Sequence, residues 1–322
     1  MKNSGQWSVV RSQRLEIRGQ EPGIGCRGWP TCLSNSWVRG KYVFLAICLF
    51  FCCSSFVAAA DVNDLLFQGA DYHYKENLEQ AIIKFEAVTS IDPKNEYAHN
   101  QLGILYAKKN RYEEAFKEFA TVAKLDDNNT FAILWLGILH LRNGEMNNAF
   151  EKFNKIIQID PNNADAYYFL GTLYNFRHNP AMAIEYLKKA RDADSQEADT
   201  HFRLAKAFHN VDMIANAMLE YMRAIEIKPN YTKAINEIGW IYYNKGDKEG
   251  AISQWKKTLT INNKDRDSIL NLAKAYNDLA WDSLKSGKTE EAIKYWGKTI
   301  AINPGNKAAK YYLGKYSLKS KG

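Results

Sequence analysis

Residues 96–129 read EYAHNQLGILYAKKNRYEEAFKEFATVAKLDDNN, and residues 130–163 read TFAILWLGILHLRNGEMNNAFEKFNKIIQIDPNN. Laid one above the other, Gly103 falls on Gly137, Ala115 on Ala149 and Phe119 on Phe153. The same spacing continues outward in both directions. Ala81, Ala115, Ala149, Ala183, Ala217 and Ala251 stand 34 apart, and Ala292 follows after 41.

With each alanine placed at position 20 of a 34-residue unit, other positions align. Position 8 is Gly69, Gly103, Gly137, Gly171, Ala205, Gly239 and Ala273. Position 11 is Tyr72, Tyr106, His140, Tyr174, Phe208, Tyr242 and Tyr276, and position 24 is Phe85, Phe119, Phe153, Leu187, Tyr221, Trp255 and, past the offset, Trp296. Positions 4, 7, 8 and 11 share one stripe of a 3.6-residue helix, and positions 20, 24 and 27 share a stripe on a second helix. Small residues at 8 and 20 allow close approach, and large ones at 11 and 24 fill the flanking space. Proline at position 32 (Pro93, Pro161, Pro229 and Pro304) ends the second helix. Turn signals fall between the helices at Glu76-Asn77, Asn110, Gly144, Asn179-Pro180, Gly246 and Gly287.

At these residues the chain resembles the tetratricopeptide repeat family, whose signature is a 34-residue helix–turn–helix unit. The resemblance covers residues 62–306 in seven units: 62–95, 96–129, 130–163, 164–197, 198–231, 232–265 and 266–306, the last with a seven-residue insertion. It implies an all-α fold, a right-handed α-solenoid in which helix A of each pair lines the concave side. It also implies a C-terminal capping helix and tail over 307–322, where Leu313 and Gly314 occupy positions 7 and 8 of a further helix A. The insertion keeps phase, because seven residues are nearly two turns and drift by only about 20°. The pattern Leu272, Ala273, Tyr276 restarts as Leu279, Ala280, Ser283. One continuous helix from about Asp267 to Ser286 is therefore expected. Trp281, on its extra turns, either projects as a ledge or covers the last helix B.

Residues 1–60 differ in kind. Arg39 and Lys41 precede an apolar run over 42–60 that ends in Ala58-Ala59-Ala60. This reads as a signal peptide over 38–60, cleaved before Asp61, or as a retained N-terminal membrane anchor. Residues 1–37 fit no ordinary secretory n-region. They are expected to be a disordered leader, or to precede a true start at Val38. An exported, periplasmic or inner-membrane-anchored protein follows from either reading of 38–60.

Charge and cysteine usage agree with this division. The stretch 1–60 carries seven Lys or Arg against two Glu, and the remainder carries 36 against 34. The repeats are thus near neutral, which argues against nucleic acid as a partner. Cys26, Cys32, Cys48, Cys52 and Cys53 all precede the cleavage point, so the repeats need no disulfides. No metal or cofactor motif stands out. The six histidines form no i,i+4 pair, and the glycines belong to the packing pattern. His140 reads as a packed core histidine, and Glu113-Glu114 and Glu290-Glu291 as helix-dipole partners. No catalytic constellation and no small-molecule substrate are inferred.

Function is read from a second stripe on the A helices, positions 2, 5, 9 and 12, about 140° from the packing stripe. It holds Tyr97, Asn100 and Ile104 in unit two, and Phe131, Leu134, Ile138 and Leu141 in unit three. Unit four places Asp165, Tyr168, Thr172 and Asn175 there, and unit five Asp199, Phe202, Lys206 and His209. Unit six contributes Lys233, Asn236, Trp240 and Tyr243. A stripe kept only for solubility would be charged, whereas this one is aromatic and aliphatic with interspersed amides, the composition of a protein-binding surface. The resemblance implies that it faces the concave groove. The competing reading is that neighbouring A helices or the leader cover it. The two-lysine, two-asparagine carboxylate clamp of chaperone-binding relatives is not matched, because Phe202 stands where that clamp would want Lys. The expectation is a non-catalytic scaffold or adaptor that binds a protein or peptide along the A helices. The alternative is a membrane-anchored assembly factor of an envelope machine for pilus assembly, secretion or polysaccharide export.

Overall fold

The computed structural model describes residues 61–319; the leader, the apolar run over 42–60 and the choice between Met1 and Val38 lie outside them. Among the described residues there are helices and no strand. Residues 61–74 form α1. It is followed by α2 (Leu78–Ile91), α3 (Glu96–Lys108), α4 (Tyr112–Leu125), α5 (Thr130–Arg142) and α6 (Met146–Ile159). Next come α7 (Ala164–Phe176), α8 (Pro180–Ala193), α9 (Ala198–Asn210), α10 (Ile214–Ile227) and α11 (Thr232–Asn244). The series closes with α12 (Lys248–Ile261), α13 (Arg266–Lys285), α14 (Thr289–Ile302) and α15 (Lys307–Lys319). The chain divides into two compact units at Pro161/Asn162. The first holds α1–α6 and the second α7–α15.

Within each unit, from α2 onward, every helix packs on the next. The close approach of A to B is set by position 8 against position 24. A Cβ added to Gly103 would lie 2.6 Å from the Phe119 ring, and one added to Gly137 2.5 Å from the Phe153 ring. Ala81, Ala115, Ala149, Ala183, Ala217, Ala251 and Ala292 are all fully buried, as are Phe85, Phe119, Phe153, Leu187, Tyr221, Trp255 and Trp296 opposite them. The 34-residue pattern is thus a row of small–large contacts repeated down each unit.

Two local signals refine the sequence reading. The turn between A and B always contains a residue in the left-handed region: Glu76, Asn110, Gly144, His178, Asp212, Gly246 and Gly287, with φ between 54° and 86°. Asp212, in unit five, carries no turn signal in the sequence, and in unit four the left-handed residue is His178. Asn179 caps α8 there, and Pro180 occupies its first turn. Helix B stops even in the units without proline at position 32. Position 31 explains this: the side chains of Asp92, Asp126, Asp194, Asn262 and Asn303 accept a hydrogen bond from the backbone N–H two residues on. Such Asx turns end a helix without proline. The next A helix then starts on Asn95, Asn129, Asn163, Asp265 or Asn306, whose side chain accepts from the N–H three residues on.

The insertion lengthens α13 to 20 residues, and that helix serves two sets of neighbours. Its first half, with Leu272, Ala275 and Tyr276, packs with Ala251, Ile252 and Trp255 of α12. Its second half places Ala280 against Ala292 and Trp296 of α14 and Ala309 of α15. Trp281 lies edge-on to Trp296 at 5.5 Å and to Tyr312 at 4.6 Å, so it covers the last helices instead of projecting as a ledge. The seven extra residues act as a register step of about 10 Å along the helix.

Candidate functional site

In the first unit the stripe is built by stacking. The ring of Tyr97 stands edge-on to Phe85 at 6.1 Å, and burial pushes its hydroxyl pKa up. Phe131 stands edge-on to Phe119 at 6.2 Å, while Trp135 lies flat on the same Phe119 ring at 5.3 Å. Each position-2 aromatic therefore leans on the position-24 aromatic of the preceding repeat. Tyr97, Phe131 and Ile138 remain half-buried, whereas Ile104 and Leu134 are buried. Asn100 is half-buried, and its Oδ1 is closed to solvent with no hydrogen-bond partner. Such an oxygen costs about 1–3 kcal/mol until a donor reaches it.

In the second unit the same positions are wired by hydrogen bonds. Asn236 is a hub. Its Oδ1 accepts from Thr258 Oγ1 at 2.9 Å and Ser268 Oγ at 2.8 Å, its Nδ2 donates to Asp265 at 3.4 Å, and its carbonyl accepts from Trp255 Nε1. These bonds tie α11 to α12 and α13. Burial opposes ionisation of Asp265, but hydrogen bonds from Ser268 and Asn236 outweigh it and hold the carboxyl below its ordinary value. Lys206 on α9 pairs with Glu237 on α11 at 2.9 Å. Tyr243 donates to Asp278 on α13 and accepts from Lys274 at 2.6 Å. Trp240 stands edge-on to Trp255 at 5.3 Å and stays half-buried. Phe202 is buried between Tyr221 and Tyr231, whose hydroxyl donates to Asp199, and burial raises the pKa of both tyrosines.

This narrows the groove expectation. Ile104, Leu134, Tyr168, Thr172 and Phe202 are buried, so they have little surface left for a partner. The amide of Asn236 is consumed inside its unit. Tyr97, Asn100, Phe131 and Ile138 in the first unit, and Lys206, Trp240 and Tyr243 in the second, keep partial exposure. Repeat seven adds an exposed apolar residue to the stripe. Leu270, at position 5 of repeat seven, is 45% exposed. The register step accounts for it, because α15 packs against the second half of α13 and not beside Leu270. The signal for it is the insertion itself.

A second feature is a histidine clasp built twice. His99 Nδ1 pairs with Glu118 at 2.6 Å and its Nε2 with the Pro93 carbonyl at 3.1 Å. His201 does the same with Glu220 at 2.5 Å and the Ser195 carbonyl at 3.1 Å, and Arg191 reaches the other Glu220 oxygen at 2.9 Å. At His201 both ring nitrogens face acceptors, so the arrangement there fits imidazolium. Burial opposes the charge on His201, but the bonds to Glu220 and Ser195 outweigh it and raise the pKa. The sequence signal is His at position 4 with Glu at position 23 in repeats two and five. His140 is half-buried, edge-on to Phe116 at 5.3 Å and paired with Glu145.

Among the described residues no group of three or more His, Cys, Asp or Glu is placed to hold a metal ion, and no helix is long and apolar enough to cross a membrane. Models of the tetratricopeptide repeat match residues 97–129, 131–163, 164–197 and 198–231. No curated protein matches the chain in sequence. Among solved structures, the C-terminal part of a repeat-containing protein of this type from Cytophaga hutchinsonii is 17% identical with a TM-score of 0.61, over 76% of this chain and 98% of that one. PilF from Pseudomonas aeruginosa is 16% identical with a TM-score of 0.59, over 67% and 99%. A tetratricopeptide repeat protein from Parabacteroides merdae is 17% identical with a TM-score of 0.54, over 80% and 99%. At these identities the likeness is one of fold.

Proposed function

We propose that this chain, a member of the tetratricopeptide-repeat family, is a non-catalytic protein-interaction scaffold whose contact surface is the A-helix stripe of its first unit. One observation carries the reading. Tyr97, Phe131 and Ile138 hold aromatic and aliphatic surface partly open on consecutive A helices. Rigid aromatic and aliphatic surface suits a peptide segment of another protein, with its side chains against the rings. Trp240 and Tyr243 add half-buried aromatic surface in the second unit. Catalysis, nucleic acid and small-molecule substrates play no part in this reading.

The test is selection of displayed random peptides on the full chain, repeated on Phe131→Ala/Ile138→Ala. Enrichment by the parent protein and its loss in the variant, with helicity retained, is the expected result. Equal enrichment by both proteins removes the first-unit stripe from the site. We infer export from the apolar run over 42–60, and fractionation tests it: a soluble periplasmic product indicates cleavage, a membrane-bound one the anchor, and a cytoplasmic one removes the inference.

A further inference from the structure

The first and last described helices present exposed apolar side chains among charges of opposite sign. Residues 61–74 contain Asp61, Asp64 and Asp71 and no Lys or Arg. At 100° per residue, Asp64, Phe67, Asp71 and Tyr74 fall within an arc of about 80° on α1. Phe67 is 75% exposed and Tyr74 89%. Asp64 accepts from the neutral Gln68 at 2.6 Å and keeps its net charge, whereas Asp71 is ion-paired with Lys75 at 2.7 Å.

Helix α15 is the counterpart. Lys307, Lys310, Tyr311, Gly314, Lys315 and Leu318 are all exposed and fall within about 140° of arc. Tyr311 is 62% exposed and Leu318 78%. No acidic residue follows Glu291 in the chain. The opposite side of α15 is already used: Ala309 is buried with Ala280 and Ala292, and Tyr312 and Tyr316 stack on Trp296. The basic stripe is therefore an outer face, not the packing face. Phe67 and Tyr74 are seven residues apart, as are Tyr311 and Leu318, so each apolar pair spans about 10.5 Å of helix.

We propose that a second copy of this chain is the partner of the α15 face, docking through its own acidic and aromatic α1. The exposed faces of α1 and α15 carry complementary charge and matched apolar spacing. The contact joins two different faces, so it is heterologous and repeats head to tail, in an open chain or a closed ring.

The experiment is sedimentation of the full chain, held in a non-ionic detergent because residues 42–60 are apolar, beside Lys307→Glu/Lys310→Glu/Lys315→Glu and Asp64→Lys/Asp71→Lys. The unaltered protein is expected to gain mass beyond the dimer with concentration at about 50 mM salt and to return toward the protomer at about 500 mM. Each variant alone associates at least about tenfold more weakly, and an equimolar mixture of the two regains chain growth. All of these substitutions lie on the surface, and circular dichroism checks the fold. A protomer mass at every concentration overturns the proposal, as does association that neither reversal weakens or growth that stops at a dimer. Protomers that instead sediment with phosphatidylglycerol vesicles through the α15 lysines overturn it in favour of a lipid surface.

Discussion

Asn100 and Asn236 occupy the same position of their repeats and lead opposite lives. Asn236 spends its amide on Thr258, Ser268 and Asp265, joining three helices of the second unit. Asn100, in the first unit, has a buried Oδ1 that nothing satisfies. The surroundings differ in the same way: Tyr97 and Phe131 contribute ring faces and edges, whereas Lys206 and Tyr243 are tied to Glu237 and Asp278. A single stripe has thus been put to two uses. In the second unit hydrogen bonds couple successive A helices through it, although Thr172 Oγ1 and Asn175 Oδ1 also lack partners there, and in the first it keeps aromatic and aliphatic contact surface.

The sharpest way to break this contrast is to replace both asparagines. Asn236→Leu takes away the acceptor of the Thr258 and Ser268 hydroxyls and is expected to cost about 2–4 kcal/mol. Asn100→Leu removes an unsatisfied oxygen and is expected to be neutral or stabilising by up to about 1 kcal/mol. Denaturant unfolding of both variants reads the difference, and equal losses would end the distinction. Next in size is Gly137→Ala. Its new methyl meets the Phe153 ring in the first unit, and overpacking of this kind costs about 1–3 kcal/mol. Repeat five already carries Ala205 at the equivalent position, opposite Tyr221. A melting temperature unchanged by Gly137→Ala would show that the helix pair adjusts without cost.

The His201 clasp is expected to make the stability of the second unit depend on pH, by on the order of 1 kcal/mol. The pKa of His201 is raised above its ordinary 6.5, so its stabilisation is complete below about pH 6.5 and fades as pH climbs through the raised value. Glu220 is held below its ordinary 4.5, burial being outweighed by His201 and Arg191, so its contribution fades only as pH falls through that lowered value. Stability from the clasp is greatest between these limits. Unfolding of parent and His201→Gln at pH 5.5 and 8.5 measures it: the gap between the two proteins should shrink at the higher pH. The smallest effect concerns the turns. Asp212 has φ 60°, and Asp212→Gly should relieve that conformation and stabilise by a few tenths to about 1 kcal/mol in a thermal melt.

The fold is written in the sequence by residues whose identity is dictated by local geometry. Gly103 and Gly137 are glycine because a ring lies against them, and the alanines are small because two helices cross there. Such constraints return in every 34-residue unit and survive without knowledge of long-range contacts. The in-phase insertion is legible for the same reason, since seven residues preserve a helical face. The site is less legible. Position in a stripe says which way a side chain starts out, but not whether a neighbour takes it up. Asn100 and Asn236 cannot be told apart until Thr258 and Ser268 are seen beside one of them. The exposure of Leu270 likewise depends on where α15 lands, which a residue count alone does not reveal.

The claim that the first unit carries the contact surface is tested most directly by photo-crosslinking. A crosslinking amino acid is placed at Tyr97, at Ile138, at Asn236 or at Lys206 in the full chain, which is then irradiated in the presence of a peptide selected on the parent protein. Strong adducts are expected from Tyr97 and Ile138, and weak or no adducts from Asn236 and Lys206. Adducts confined to the second pair, or absent from the first, would contradict the claim.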